Sequence, residues 1–186
     1  MNVNEILKDA EIRMKKSVDH LHHELTRIRT GRATPALLDV VKVHYYGSVV
    51  PLNQVATITA PEPRMLVVQP WEKGMIGEIE KSILQADLGL NPTNDGNVVR
   101  VPIPELSEER RQDLLKLVKK YCEETRVAIR NVRRDANDQI KNLEKSHEIS
   151  EDQSHKTMDI IQKLTDEYIS KVDEIYQAKE NEILGE

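Results

Sequence analysis

Proline and glycine are concentrated in the middle of this chain, and their distribution divides it into three parts. All eight prolines lie between Pro35 and Pro104, and six of the seven glycines lie between Gly31 and Gly96. Inside a helix, proline costs about 3 kcal/mol and glycine about 1 kcal/mol relative to alanine. Residues 1–30 and 107–184 contain neither, so each stretch can form long uninterrupted helices. The middle part must turn often.

The flanking stretches predict three amphipathic helices. Capping signals mark their starts: Asn2 with Glu5, Ser107 followed by Glu108 and Glu109, and Ser150 with Gln153. Apolar residues then recur every three or four positions, as on one face of a helix. The three stripes are Val3, Leu7, Ala10, Met14, Val18, Leu21, Leu25 and Ile28; then Leu114, Val118, Tyr121, Thr125, Ala128, Val132, Ala136, Ile140 and Leu143; then Met158, Ile161, Leu164, Tyr168, Val172 and Ile175.

These helices would each be roughly 40 to 55 Å long, and none can bury its apolar stripe alone. We therefore expect an elongated antiparallel three-helix bundle built from residues 1–30 and 105–186. Its core is expected to use aliphatic side chains, because the chain has one tryptophan, five tyrosines and no phenylalanine.

Residues 31–104 predict a small β-rich domain inserted into the bundle, which makes the fold class α+β. Strand composition recurs at 40–45, 49–52, 57–59, 65–68 and 98–101. One helix is expected between strands, from Ile76 to about Ala86, with Ile79, Ile83 and Leu84 facing inward. The insert is joined to the bundle at Arg29–Arg32 and Pro102–Glu105. Two close connections favour a hinge, with two rigidly docked domains as the alternative. The candidate hinge residues are Thr30, Gly31, Pro102, Ile103 and Pro104.

Charge is distributed unevenly along the helical stretches. Residues 107–147 hold 11 Lys and Arg against 8 Asp and Glu, whereas residues 148–186 hold 4 against 11. Around the second predicted bundle helix, at about 100° per residue, five polar positions fall within roughly 60° of one another. They lie more than 90° from the centre of the apolar stripe of that helix, and Arg134 lies to one side of them. We call these five the arginine row: Lys119, Arg126, Arg130, Arg133 and Asn137.

The arginine row is typical of a surface that binds structured RNA. The planar guanidinium can hold two phosphate oxygens at once or stack on a base. Because the whole chain is acidic, with a formal net charge of −5, indiscriminate binding to nucleic acid is disfavoured. Scarce aromatics also disfavour recognition by base stacking on a sheet. The alternative is a solvated helix face with internal pairs such as Arg126 with Glu123.

Other residues that resemble reactive sites are better explained structurally, and no catalytic or metal site is predicted. Cys122 is the only cysteine, which excludes an intramolecular disulfide and fits a reducing compartment. It lies beside the apolar stripe, where a structural thiol is favoured over a nucleophile. His20, His23 and Glu24 share a helix face, but no second ligand cluster accompanies them. The sequence shows neither a signal peptide nor a membrane span, so we expect a cytoplasmic protein.

Several motifs, in the right order along the whole chain, resemble the ribosome recycling factor family. They are Ile28-Arg29-Thr30-Gly31-Arg32-Ala33 with Pro35 and Leu37-Leu38-Asp39; Tyr45-Tyr46-Gly47; Pro63-Arg64; Pro70-Trp71; Asp87-Leu88-Gly89-Leu90-Asn91-Pro92 with Asp95-Gly96; Arg100-Val101-Pro102; Glu108-Glu109-Arg110-Arg111; and Val127-Ala128-Ile129-Arg130-Asn131-Val132-Arg133-Arg134-Asp135-Ala136-Asn137-Asp138.

The resemblance implies a monomeric, L-shaped bacterial translation factor that lies across the transfer-RNA sites of the post-termination ribosome. Arginines would bind large-subunit ribosomal RNA near an inter-subunit bridge. They are Arg130 and Arg133, supported by Arg110, Arg111, Arg126, Arg29 and Arg134. Elongation factor G would push on the smaller domain through the hinge and split the ribosome, using GTP. The chain would then need no cofactor or catalytic group of its own.

Two other classes of function stay open from the residues alone. One is a helical adaptor whose arginine row binds an acidic protein. The other is an enzyme that acts through Cys122.

Overall fold

A computed structural model describes residues 1–185 of the chain. It contains long helices and a small antiparallel sheet, which confirms the predicted α+β class. The elements in chain order are α1 (Val3–Thr26), β1 (Lys42–Tyr45), β2 (Ser48–Pro51), β3 (Ala56–Glu62), β4 (Met65–Pro70), α2 (Ile76–Gln85), β5 (Thr93–Asn94), β6 (Val99–Pro102), α3 (Glu108–Lys145) and α4 (Glu151–Leu184). They form two compact units: a helical unit of Met1–Arg29 and Glu108–Glu186, and a smaller unit of Thr30–Ser107.

In the helical unit, α1, α3 and α4 pack together as a three-helix bundle. A capping box starts α1, where Asn2 Oδ1 accepts a hydrogen bond from the Glu5 backbone N–H at 2.9 Å. The predicted capping box at Ser150 and Gln153 likewise starts α4. Helices α1 and α3 run antiparallel, because Arg13 contacts Asp135 whereas Glu24, later in α1, lines a cleft with Tyr121, earlier in α3.

Three threonines contribute to the bundle core: Thr125, which the predicted α3 stripe included, and Thr157 and Thr165, which the predicted α4 stripe left out. Thr125, Thr157 and Thr165 are buried, and each hydroxyl donates to the carbonyl four residues earlier, at 3.0, 2.7 and 2.8 Å. A hydroxyl satisfied within its own helix leaves the threonine methyl free to pack against neighbours. On α3, Cys122 and Ile129 are fully buried, where Tyr121 and Ala128 were expected and are only half-buried. The full buried set of α3 is Leu114, Val118, Cys122, Thr125, Ile129, Val132, Ala136 and Ile140.

This difference changes the direction of the α3 core face. The observed stripe is centred about 30° further round the helix, toward the arginine row, than the predicted stripe. In α1 a smaller change occurs, because Ile6 is buried and Leu7 is half-buried. The arginine row therefore borders the core face of α3 instead of lying well away from it.

The smaller unit contains a β1–β2 hairpin and a four-stranded antiparallel sheet with the strand order β3-β4-β6-β5. The two-residue strand β5 was missed in the sequence. Tyr46 and Gly47 connect β1 to β2 with φ angles of 45° and 81°, the left-handed conformation that tight hairpin turns require. Leu66 and Val68 alternate inward along β4, and α2 covers this apolar core.

The prediction that Leu84 faces the core from α2 is wrong. Ile79 and Ile83 are fully buried as expected, but Leu84 is 60% exposed. Position 84 lies about 100° from position 83 and 140° from position 79, so it points away from the face that those two residues define. Ser82 is buried on that face instead.

The candidate hinge residues occupy different environments in the smaller unit. Thr30 is buried, and Gly31 adopts a left-handed φ of 81°. Pro102 is the last residue of β6, Ile103 is part of the apolar core, and Pro104 is exposed.

The turn at Pro63 and Arg64 is attached to the segments near both boundaries of this unit. Ala33 N–H donates to the Pro63 carbonyl at 2.7 Å, and Ile103 N–H donates to the Arg64 carbonyl at 2.8 Å. The Arg64 guanidinium also forms an ion pair with Glu105 at 2.8 Å. Residues 33 and 103–105 are therefore held to the sheet.

Candidate nucleic-acid interface

The arginine row lies along one edge of α3 within the helical unit. Helix α3 runs for 38 residues without proline or glycine, so spacings of three, four and seven residues keep these side chains on one side. From Lys119 to Asn137 the row extends roughly 27 Å. This length is suited to contacting several successive phosphates of a nucleic acid.

Arg126 is bound to carboxylates of the protein itself. Its Nε and Nη2 both donate to Asp173 Oδ1 on α4, at 3.0 and 2.7 Å. Its Nη1 donates to Glu123 Oε2 at 3.3 Å, and its side chain is only 20% exposed. The prediction that Arg126 points outward is therefore wrong, because the core face of α3 is turned toward the row and brings Arg126 against α4.

The surroundings keep Arg126 cationic. Burial lowers the pKa of the Arg126 guanidinium, but the hydrogen bonds that it donates to Asp173, the charge of Asp173 and the hydrogen bond that it donates to Glu123 raise the pKa by more in sum. The net shift is upward. Arg126 thus joins α3 to α4 as a permanently charged group.

Glu123 connects Arg126 to the next arginine of the row. Its Oε1 accepts from Arg130 Nη1 at 3.5 Å, while its Oε2 accepts from Arg126. The Arg130 side chain is 41% exposed and keeps its remaining N–H donors for other partners. The pairing of Arg126 with Glu123, expected for a solvated face, is present but involves only part of the row.

The side chains of Arg133 and Arg134 have no ion pair or hydrogen bond to any residue in the described range 1–185. Arg133 is half-buried at the edge of the core face, whereas Arg134 is exposed on the side of α3 opposite the core. Their fork-shaped groups are therefore available to an external anion. The nearby Asp135 is turned the other way, where it pairs with Arg13 at 3.0 Å.

Other predicted contact residues are spread along the helical unit. Lys119 is exposed one to two turns before Arg126. Asn137 is half-buried, and its Oδ1 is shielded from solvent without a hydrogen-bond partner in the described part of the chain, so a contact with RNA would use its Nδ2. Three further arginines lie outside the row: Arg29 follows α1, while Arg110 and Arg111 lie in the first turn of α3, roughly 20 Å along the axis from Arg126.

Cys122 is fully buried in the α3 core face. Burial raises the pKa of its thiol, the nearby Arg126 lowers it, and Asp173 raises it further, for a net upward shift. A thiol with a raised pKa and no exposure is a poor nucleophile. The Cys122 enzyme hypothesis therefore loses its support.

His20 and Glu24 line a cleft of about 540 Å³ between α1 and α3, together with Lys16, Tyr121 and Glu124. Among residues 1–185, no three His, Cys, Asp or Glu side chains are grouped closely enough to hold a metal ion. Nor does any helix in that range have both the length and the apolar character to cross a membrane.

Sequence patterns anticipated the pair of Arg126 with Glu123, but they missed the contact of Glu123 with Arg130, and they missed Asp173. The Glu123–Arg130 contact could have been found, because residues seven positions apart lie on the same side of a helix. Asp173 could not, since its contact depends on how α4 packs against α3.

Comparison with known proteins identifies the family. A family model described as ribosome recycling factor matches residues 21–184. The ribosome-recycling factor of Carboxydothermus hydrogenoformans is 58% identical over 183 residues, which cover 98% of this chain and 99% of that protein. The Bacillus subtilis ribosome-recycling factor is 54% identical over 97% of each chain.

Solved structures of ribosome recycling factors are similar along the whole chain. A solution structure of ribosome recycling factor aligns with a TM-score of 0.72 and 44% identity, covering 100% of this chain and 99% of that one. A T. thermophilus ribosome recycling factor aligns with a TM-score of 0.64 and 51% identity, covering 99% of this chain and all of that one. That factor is described with E. coli elongation factor G as bound to the E. coli post-termination complex. On these matches, the chain belongs to the ribosome recycling factor family.

Proposed function

We propose that this protein binds the post-termination ribosome across the transfer-RNA sites and, with elongation factor G and GTP, splits it into subunits for reuse. The observation that supports this most is the full-length likeness to the T. thermophilus factor, which is described with elongation factor G on a post-termination complex. The protein acts as a monomer in the cytoplasm, where ribosomes finish termination.

The helical unit makes the contact with large-subunit ribosomal RNA at an inter-subunit bridge. Arg133, Arg134 and the exposed part of Arg130 bind phosphates, because their N–H donors are wholly or partly unused among residues 1–185. Arg126 supports them from its site against α4. The remaining candidate residues add weaker contacts to the same RNA: Lys119, Asn137, Arg29, Arg110 and Arg111.

The protein itself supplies binding and force transmission, and elongation factor G supplies the energy through its GTP cycle. Such a role requires neither a catalytic group nor a cofactor in this chain. The connections at Thr30–Gly31 and Pro102–Pro104 form a hinge through which the smaller unit, as the lever for elongation factor G, moves the bundle against the bridge.

Sucrose-gradient sedimentation of post-termination ribosomes tests this function. We expect free subunits only when the protein, elongation factor G and GTP are all present. Binding of the protein to ribosomes without elongation factor G should be competed by bare ribosomal RNA and should weaken as salt rises. Intact ribosomes after the complete reaction would contradict the proposal. Binding that RNA cannot compete would instead favour an adaptor for an acidic protein.

Stiffening the connections tests the hinge separately. Deleting Pro104, which is exposed and lies outside both β6 and the apolar core, should leave ribosome binding unchanged, because the arginine row lies in the other unit. It should block splitting in the sedimentation assay, since the lever can no longer transmit the movement. Normal splitting by such a variant would show that no hinge is needed.

A further inference from the structure

We propose that Asp173 is a positioning residue for RNA binding: its carboxylate holds Arg126, which holds Glu123, which holds the Arg130 guanidinium toward ribosomal phosphates. This inference rests on the proposed function and assigns a role in it to an acidic residue of α4. The contacts that carry it are the series Asp173, Arg126, Glu123 and Arg130, with N···O distances of 2.7, 3.3 and 3.5 Å.

The series alternates in charge and crosses from α4 to the exposed edge of α3. Asp173 is the only member on α4, and the other three lie within two turns of α3. Two donors of Arg126, Nε and Nη2, meet one oxygen of Asp173, which fixes the orientation of the guanidinium plane. The third donor group, Nη1, is thereby directed at Glu123, whose second oxygen reaches Arg130.

Arg126 is poorly placed to bind RNA itself. Its side chain is 20% exposed and each of its three nitrogens already donates to a carboxylate, whereas the Arg130 side chain is 41% exposed and only its Nη1 is engaged. The structure therefore divides the row into a support, Arg126, and a contact residue, Arg130. A long side chain that is already held in one conformation loses less entropy when it binds a phosphate.

Electrostatic repulsion between these acids and phosphates would have the opposite effect on RNA binding, and this difference gives the inference a clear test. Asp173 and Glu123 are negative charges beside a surface that would bind phosphates. If charge repulsion dominated, removal of either acid would strengthen RNA binding. If positioning dominates, removal of Asp173 weakens binding even though it makes the protein less negative.

The experiment compares Asp173→Asn with Glu174→Gln in binding to vacant bacterial ribosomes. Glu174 is the neighbouring residue, is exposed, and has no hydrogen bond or ion pair in the described chain, so its variant removes the same charge without touching Arg126. We expect Asp173→Asn to bind roughly tenfold more weakly than the wild type, the loss that corresponds to the freed rotamers of a long side chain. Glu174→Gln should bind equally well or slightly better.

Two further measurements separate positioning from folding. The slope of log K against log salt should stay close to that of the wild type, because Arg130 still neutralises its phosphate in Asp173→Asn and only the entropic cost of the contact rises. In an Arg126→Met background, Asp173→Asn should cause no additional loss, since both changes interrupt the same series. Circular dichroism should show unchanged helicity for both single variants.

The outcomes distinguish the inference from the function on which it rests. If the wild type binds ribosomes and Asp173→Asn binds as tightly as Glu174→Gln, the positioning role is overturned and the proposed function stands. An equal loss in the wild-type and Arg126→Met backgrounds also overturns it. If the wild type does not bind ribosomes, both proposals fail.

Discussion

Gly31 lies so close to Leu106 that a Cβ added to Gly31 would be 3.1 Å from Leu106 Cγ. Gly31 also has a φ of 81°, in the left-handed region that side chains with a Cβ rarely adopt. Both facts require glycine where the chain enters the smaller unit. The closeness of positions 31 and 106 also means that the two boundary segments of this unit pack against each other.

Replacing Gly31 with alanine should therefore destabilise the smaller unit by about 1–2 kcal/mol, because the backbone is strained and Leu106 must move. The measurement is urea unfolding followed by tryptophan fluorescence. Trp71 is the only tryptophan of the chain and lies in this unit, so its emission reports the unfolding of the smaller unit.

Gly77→Ala is the matched control for this substitution. Gly77 lies in α2 without a left-handed φ, and a Cβ there meets no atom within 4 Å beyond its own helix and chain neighbours. This variant should be as stable as the wild type or up to about 1 kcal/mol more stable. Equal effects of the two substitutions would show that position 31 has no special need for glycine.

Arg133→Ala should weaken ribosome binding at least tenfold, because Arg133 has no ion pair or hydrogen bond within residues 1–185 and offers its whole guanidinium to phosphates. The free energy of unfolding should change by less than about 1 kcal/mol. Co-sedimentation with ribosomes and thermal melting by circular dichroism measure the two effects.

Lys156→Ala on α4 provides the comparison, since Lys156 is exposed and also has no ion pair or hydrogen bond in the described chain. It should leave binding within about twofold of the wild type, as expected for one distant surface charge. A large loss of stability in Arg133→Ala would assign this arginine to the bundle core instead.

Local signals in the sequence were sufficient to predict where the three bundle helices begin, since α3 also starts directly after Ser107. The capping boxes at Asn2 and Ser150 depend only on residues three positions apart, and both are present. The order of strands in the smaller unit was not predicted, because pairing between β4 and β6 joins residues more than 30 positions apart.

The orientation of the arginine row was only partly predictable. The apolar pattern included Thr125 in the predicted core of α3 but left Thr157 and Thr165 out of that of α4, yet both are buried with their hydroxyls bonded within the helix. On α3, the pattern placed Tyr121 and Ala128 in the core, whereas Cys122 and Ile129 are buried, and this shifts the core face toward the arginine row. The sequence therefore grouped the arginines on one side of α3, but could not show that Arg126 faces α4.

Ser154 differs from the three buried threonines of the bundle. It is fully buried in α4, and its Oγ has no hydrogen-bond partner in the described structure. An unsatisfied buried hydroxyl costs roughly 1–3 kcal/mol, and alanine is also the better helix former. Ser154→Ala should thus stabilise the helical unit by about 1 kcal/mol, measured as an increase in melting temperature by circular dichroism.

Ser17→Ala in α1 tests whether this gain comes from the missing hydrogen bond. The Ser17 hydroxyl donates to the Arg13 carbonyl at 3.2 Å, so its removal should change stability by less than about 0.5 kcal/mol. If Ser154→Ala is no more stable than Ser17→Ala, the Ser154 hydroxyl has a partner in solution.

Asp95 should make the smaller unit sensitive to acid. Its carboxylate accepts hydrogen bonds from the backbone N–H groups of Val98 and Asn97 at 2.9 Å each, and from Arg100 Nη1 at 2.7 Å. These bonds, that of Val98 foremost, hold the pKa of Asp95 well below its usual range. Because the folded pKa is lower than the unfolded value of about 4, the stabilisation is complete above that pH and is lost progressively as the pH falls toward the folded pKa.

Asp95→Asn should therefore be less stable than the wild type at pH 7 and should lose less further stability between pH 7 and pH 3. Urea unfolding monitored by Trp71 fluorescence at both pH values measures this difference. Asp39→Asn is the control, because Asp39 is exposed in the same unit and its side chain has no hydrogen bond or ion pair in the described chain. It should keep the pH dependence of the wild type. If Asp95→Asn and the wild type lose equal stability on acidification, titration of Asp95 is not coupled to the folding of the smaller unit.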